Sequence, residues 1–231
     1  MRTRLLCAVL WKGAAITNNA VIRFSILGIP VCVEAWFWVS LAFIGGGLSA
    51  SSSADVINVL LFVFAGFLSI LIHELGHALT IRIYGLPSSI TLQAFGGFAS
   101  YPAGRLNRMQ SFCVSAAGPI VQFALGLCII VLSPYLAIPE GSLFVPFSRY
   151  LVWVSVVWAI FNCLPVYPMD GGQMLAALMG QKRQHYVHLI GVFFAVAFAL
   201  VGYSLFGSIL LLVFMAFFAW QNWQAFRAIT R

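Results

Sequence analysis

Three side chains capable of metal and acid–base chemistry fall within five residues, His73-Glu74-Leu75-Gly76-His77. They follow an apolar run, Val56 to Ile72, long enough to lie in a membrane. The chain has only four histidines and five acidic residues, so a third of that stock is spent here. On a helix, residues i and i+4 share a face with Cβ atoms about 5–6 Å apart. Two imidazoles so placed can grip one Zn²⁺ at roughly 2.0–2.1 Å per bond. Glu74 lies beside His73 and three residues before His77, where it can reach a metal-bound water without being a ligand. Zinc brings the pKa of such a water to ~7, and a nearby carboxylate can then take its proton. This is the HExxH arrangement, and it leaves a third protein ligand to be found. A lone histidine on an apolar helix is ordinarily a satisfied core residue. Ionisable groups in a membrane segment are costly, however, and the default reading there is functional.

A second polar point interrupts a later apolar segment at Asn162-Cys163-Leu164-Pro165-Val166-Tyr167-Pro168-Met169-Asp170-Gly171-Gly172-Gln173. Two prolines three apart cannot continue a helix. The chain must unwind there, which a membrane tolerates only where the backbone lines a cavity. Asp170 sits at the break, with a helix resuming after it to about Met179, and is the candidate third ligand.

Composition sets the frame for both motifs. The 231 residues are 62% hydrophobic and 7% charged, against ~25% charged in a soluble domain. The implied fold class is an all-α polytopic membrane protein, with about six transmembrane helices and short membrane-associated β-hairpins. A single membrane-embedded domain is expected over 1–231. It would comprise an interfacial segment and hairpin (1–34), catalytic core helices (35–180) and two C-terminal helices (185–228). The net charge of +7 comes from basic residues scattered through short loops, not from a patch, so nucleic acid is not an expected partner. The five cysteines carry no CxxC pairing, and most lie in apolar runs as small hydrophobes.

Along the chain, residues 1–21 read as an interfacial segment. Arg23 to Glu34, with Gly28 and Pro30 at its middle, reads as two strands and a turn. A first span is expected over Ala35 to Leu48. The HELGH helix runs from about Asp55 to Ile83, capped by Ser53 or Asp55 and stopped at Gly85-Leu86-Pro87. Ser88 to Pro102 reads as a second hairpin or re-entrant loop about Gly96-Gly97, whose exposed edge could take an extended substrate by main-chain hydrogen bonds. The third helix, about Asn107 to Leu132, contains Pro119 and the polar Gln122. A loop over Ser133 to Ser148 precedes a fourth segment, near Arg149 to Leu164. The last two helices, about His188 to Val201 and Leu205 to Phe226, meet at a turn at Gly202-Tyr203-Ser204 and read as structural. His185 and His188 read as interfacial.

Six alternating spans with both termini inside place eleven of the twelve basic residues on the cytoplasmic side, Arg149 excepted. His77 lies five residues before Arg82, about 7.5 Å along a helix. Asp170 lies twelve residues before Lys182, part of that stretch being non-helical. The two motifs thus share a depth toward the cytoplasmic side.

The pair HELGH and Asn162-x-x-Pro165-x-x-Pro168-x-Asp170-Gly171 resembles the site-2 protease family of intramembrane zinc metalloproteases. Gly96-Gly97 and Ala117-Gly118-Pro119 extend the resemblance over most of the chain. The resemblance implies one zinc held by His73, His77 and Asp170, with Glu74 as general base. It implies substrate or oxyanion roles for Asn162 and Gln122, and a strand with Gly97 and Phe98 that pairs with an unwound substrate helix. Gln122 stands where the family often has Asn, and Glu34 where members often carry His. The expected activity is hydrolysis of peptide bonds within or near transmembrane segments, in regulated intramembrane proteolysis. The expected partners are the lipid bilayer, a transmembrane protein substrate and a regulatory membrane protein. The alternative is a membrane metal transporter or metal-sensing protein using the same three ligands, for which Glu74 is dispensable and further ligands should line a path.

Overall fold

The computed structural model describes residues 20–135, 138–139 and 141–230, so the interfacial reading of 1–21 falls almost wholly outside the described residues. These residues form two compact units, one of residues up to 105 with 120–159, the other of 106–119 with 160–231.

The first unit is built on a four-stranded sheet and the HELGH helix. Strands β1 (Ala20–Ile26) and β2 (Ile29–Glu34) form the first hairpin, turning at Leu27-Gly28, both at positive φ. β3 (Ser89–Gln93) and β4 (Gly96–Ser100) form the second. β2 pairs with β3 in parallel, in register Val31 with Ile90 and Val33 with Leu92, so two hairpins 55 residues apart become one sheet, order β1-β2-β3-β4. A parallel pair needs a crossover, and here it consists of helices α1 (Ala35–Ile44) and α2 (Ser53–Ile83). The core cluster of this unit joins Val31, Val33 and Leu92 of the sheet to Phe37 of α1 and to Ile70 and Ala78 of α2.

α2 starts in a capping box: the Asp55 N–H donates to Ser52 Oγ, and the Ser52 N–H donates to the Asp55 carboxylate. Its lower end is fastened to the sheet. The Arg82 guanidinium donates to the Leu27 and Gly28 carbonyls at 2.9 and 2.6 Å. Ser88 Oγ donates to the Ala78 carbonyl.

The first expected span is shorter than the sequence suggests. α1 has ten residues, about 15 Å at 1.5 Å per residue, half a ~30 Å hydrocarbon core. Gly45-Gly46-Gly47 ends it early: Gly46 is at φ +87, and Gly47 turns back so that its N–H donates to the Ala42 carbonyl. The turn of the second hairpin is also displaced. It falls at Ala94-Phe95, with Phe95 at φ +61, rather than at Gly96-Gly97, which begin β4. α1 anchors that turn, because the Phe95 N–H donates to Ser40 Oγ.

Helix α3 (Arg108–Leu132) passes from the second unit to the first at Pro119, and α4 (Phe144–Asn162) passes back near Ile160. α4 begins five residues before Arg149, inside the stretch read as loop. In the second unit the chain unwinds from Cys163 to Met169, then resumes as α5 (Asp170–Met179), as the prolines require. Arg108 Nε donates to the Ala177 carbonyl at 2.9 Å and its Nη2 to the Leu178 carbonyl, capping the end of α5. α6 (Gln184–Phe206) and α7 (Ile209–Thr230) form an antiparallel pair. Their turn is at Gly207, φ +62, not at Gly202-Tyr203-Ser204. Gly202 is spent on close packing instead: a methyl there would stand 2.5 Å from Leu211 Cδ2.

Five described helices are long and apolar enough to cross a membrane, with α1 as a sixth, shorter apolar helix. Large apolar side chains such as Phe193 and Phe206 face outward, at 69% and 77% exposure. A helix apolar on its exposed face belongs in lipid.

Candidate metal centre

Ser69, His73 and His77 lie at i, i+4 and i+8 on one face of α2, and all are buried. The rings of His73 and His77 meet edge to face, with Nε2 atoms 3.0 Å apart. Two ligands on a tetrahedral zinc at 2.0–2.1 Å stand about 3.3–3.4 Å apart. The two imidazoles are therefore already aimed at one point, and the donor set fits zinc.

What aims His73 is Gln122, on α3. This amide is fully buried, and its Oε1 accepts from His73 Nδ1–H at 2.9 Å. A neutral imidazole with its proton on Nδ1 presents a lone pair at Nε2, the tautomer a metal requires. On its other side the amide meets Ser69, whose Oγ accepts from Gln122 Nε2 at 2.9 Å. Ser69 Oγ in turn lies 2.9 Å from Ser155 Oγ on α4. Gly126, one turn after Gln122, permits this approach, since a methyl there would stand 2.8 Å from Val156 Cγ2. The Gln122 amide is fully buried, with one hydrogen bond to His73 and one to Ser69. Ser69 and Ser155 were not singled out from the sequence. The position of Ser69 one turn before His73 is the signal that could have found it.

Glu74 is 3% exposed and lies against β4. A methyl on Gly97 would stand 2.8 Å from Glu74 Cγ and 3.0 Å from its Oε1, so the bare backbone of β4 passes directly over the carboxyl. Gly97 pairs with buried Leu92, which sets its face of the strand toward α2. Phe98, paired with Thr91, points from the opposite face and is 44% exposed; it is not brought to the pentapeptide. β4 is the last strand in the sheet order, pairing with β3 alone among the described strands.

The other two expected site residues belong to the second unit. Asn162 is half-buried at the last position of α4, where the unwound stretch begins. Asp170 opens α5 and is buried, at 7% exposure. Gly171 and Gly172 follow it because a side chain at either would collide with the unwound backbone, at the Cys163 carbonyl and the Tyr167 nitrogen respectively. Gln173 Nε2 donates to the Pro168 carbonyl at 2.9 Å. His185 and His188 are not grouped with the pentapeptide. His188 is buried rather than interfacial, and its Nδ1–H donates to Asn222 Oδ1.

Residues 137–202, spanning the prolyl break and Asp170, match the model of Peptidase family M50. A zinc metalloprotease of Methanocaldococcus jannaschii is 30% identical over 71% of this chain and 47% of its own length. A relative from Synechocystis is 32% identical over 73% of this chain and 46% of its own length. The chain thus spans about half the length of these curated relatives. The solved site-2 protease from Methanocaldococcus jannaschii superposes with a TM-score of 0.62 at 27% identity, covering 89% of this chain and 94% of that one. The chain is an integral membrane protein and belongs to the site-2 protease family.

Proposed function

We propose that this protein is a zinc-dependent endopeptidase that cuts membrane-anchored substrates within or near their transmembrane segments, as a step in regulated intramembrane proteolysis. The observation that carries the reading is the pair of buried imidazoles on α2, preset 3.0 Å apart with Glu74 between them in the sequence. His73, His77 and Asp170 are the proposed ligands, and all three are buried. Asp170 is favoured over the other described acids. Asp55 is engaged in the exposed cap of α2, and Glu34 ends β2.

Zinc bound by this set supplies Lewis acidity that makes water a nucleophile near neutral pH. Glu74 accepts the proton given up by that water and returns it to the departing amine. Gln122 keeps the His73 proton on Nδ1 throughout. Membrane helices hide their peptide bonds in internal hydrogen bonds, so a substrate must unwind before it is cut. The edge of β4 suits an unwound strand, and Gly97 brings such a strand beside Glu74. Asn162, at the start of the unwound stretch, is proposed to hold the substrate or the developing oxyanion.

The proposed orientation has both termini and the site toward the cytoplasm. What supports it is the sheet. β2 and β3 are neighbours, so the chain leaves the sheet at Ala35 and returns to it by Ser89. α1 with residues 45–52 must therefore make the same journey as α2, in one direction and back. With α1 and residues 45–52 as a short first crossing, six alternating crossings would keep the basic residues on the cytoplasmic side. The test of the ligand set is zinc content after purification in detergent. Wild type should hold one zinc per chain, and Asp170→Ala or His77→Ala should lose it under the same chelator. Retention by either variant refutes the assignment.

A further inference from the structure

The unwound stretch before Asp170 has carbonyls that water cannot serve at membrane depth, so each needs a partner within the protein. Several are served from within the stretch or from α5. The Leu164, Val166 and Pro168 carbonyls accept from Val166 N–H, Met169 N–H and the Gln173 side-chain amide. The Tyr167 carbonyl is served from 55 residues away. Asn222 of α7 donates to it from Nδ2 at 2.6 Å.

Asn222 is 1% exposed. An apolar side chain would pack two lipid-bound helices without the cost of burying an amide. Its hydrogen-bonding capacity is used on both sides. Nδ2 donates to the Tyr167 carbonyl and to the Phe218 carbonyl one turn back, at 2.9 Å. Oδ1 accepts from His188 Nδ1–H of α6 at 3.0 Å. The two carbonyls can only accept, so they fix which way the amide faces, and Oδ1 in turn holds the His188 proton on Nδ1. His188 also lies edge-on to the Tyr167 ring, with centroids 5.7 Å apart. Gly191, one turn along α6, leaves the space: a methyl there would stand 2.6 Å from Asn222 Oδ1.

We propose that His188 and Asn222 are positioning residues for Asp170, pinning the Tyr167 carbonyl three residues before the carboxylate so that α5 starts where a metal needs it. This gives the two C-terminal helices a part in the metal centre. It rests on the reading of Asp170 as a zinc ligand.

The test compares zinc affinity, by chelator competition, and the visible absorption spectrum of the cobalt(II)-substituted protein. The full chain is used in detergent, on monodisperse preparations of wild type, Asp170→Ala, Asn222→Leu, His188→Leu and His188→Asn. Outer groups that hold a ligand in place typically matter by 10–100-fold in metal affinity. Asn222→Leu should weaken zinc by about tenfold or more and alter the cobalt spectrum, because the carboxylate is no longer held at one place. His188→Leu should do the same to a lesser degree. His188→Asn, whose amide can donate from near the Nδ1 position, should restore both readouts, which a mere change in helix packing would not produce. If Asn222→Leu yields no folded protein, the two His188 variants decide. Wild-type affinity and spectrum in Asn222→Leu and His188→Leu, beside a weakened Asp170→Ala, overturn the inference alone. Wild-type affinity in Asp170→Ala overturns the ligand assignment and this inference with it.

Discussion

Replacing Gln122 by Leu removes the acceptor for His73 Nδ1–H while keeping a side chain of similar size in a fully buried place. Two outcomes are open to the imidazole. It can keep its proton on Nδ1 and leave a buried donor without a partner, at a cost of about 1–3 kcal/mol. Or it can carry the proton on Nε2, where it occupies the lone pair the metal needs and must be moved back on binding. The free protein can take the second course and the metal-bound protein only the first, so the cost falls on the metal-bound state. Loss of such an outer partner typically weakens metal binding 10–100-fold, about 1.4–2.8 kcal/mol at 1.4 kcal/mol per tenfold, in line with the buried-donor figure. Gln122→Glu restores an acceptor at the same reach, and the Ser69 hydroxyl can turn to donate to it. That variant should recover most of the affinity. The assay is competition against a chelator of known zinc affinity at fixed pH, with unfolding in excess chelator measured in parallel to confirm that each variant is folded. A folded Gln122→Leu whose zinc affinity is within threefold of wild type would refute the reasoning.

Other substitutions separate the parts of the site. Gly97→Ala places a methyl 2.8 Å from Glu74 Cγ and Leu92 Cδ2; it should leave zinc content unchanged while lowering the cleavage rate of a membrane-anchored reporter at least tenfold. Ser52→Ala removes the cap of α2 far from the site; it should cost about 1 kcal/mol of stability in detergent unfolding, with zinc affinity unaltered. Gly202→Val forces a side chain against Leu211; it should lower the unfolding temperature more than Ser52→Ala does, because the clash is with a packed helix and not at an exposed end.

The chemistry was legible in the sequence where it depends on local spacing. HELGH declares its geometry because i and i+4 are neighbours on any helix. Pro165 and Pro168 declare the break before Asp170 because neither can continue one. Both hairpins could also be read, since β-forming residues flanked the turns. Features that depend on partners distant in sequence could not be read. The parallel pairing of β2 with β3 depends on α1 and α2 returning the chain to its starting edge. The Ser155–Ser69–Gln122–His73 chain joins three helices, and no one of its residues is unusual in its own segment. Glycines misled twice for one reason: Gly97 and Gly202 were read as turn formers, whereas each serves close packing. His188 reads as interfacial because a polar residue near a helix end looks so until its partner is known, and that partner, Asn222, lies on another helix.

The central claim is that Glu74 acts as a base beside a metal held by other residues. The most direct test is zinc content and cleavage measured on one purified preparation of Glu74→Gln, with a membrane-anchored reporter. The expected result is one zinc per chain, as in wild type, with no product. Cleavage at the wild-type rate by that zinc-loaded variant would contradict the account.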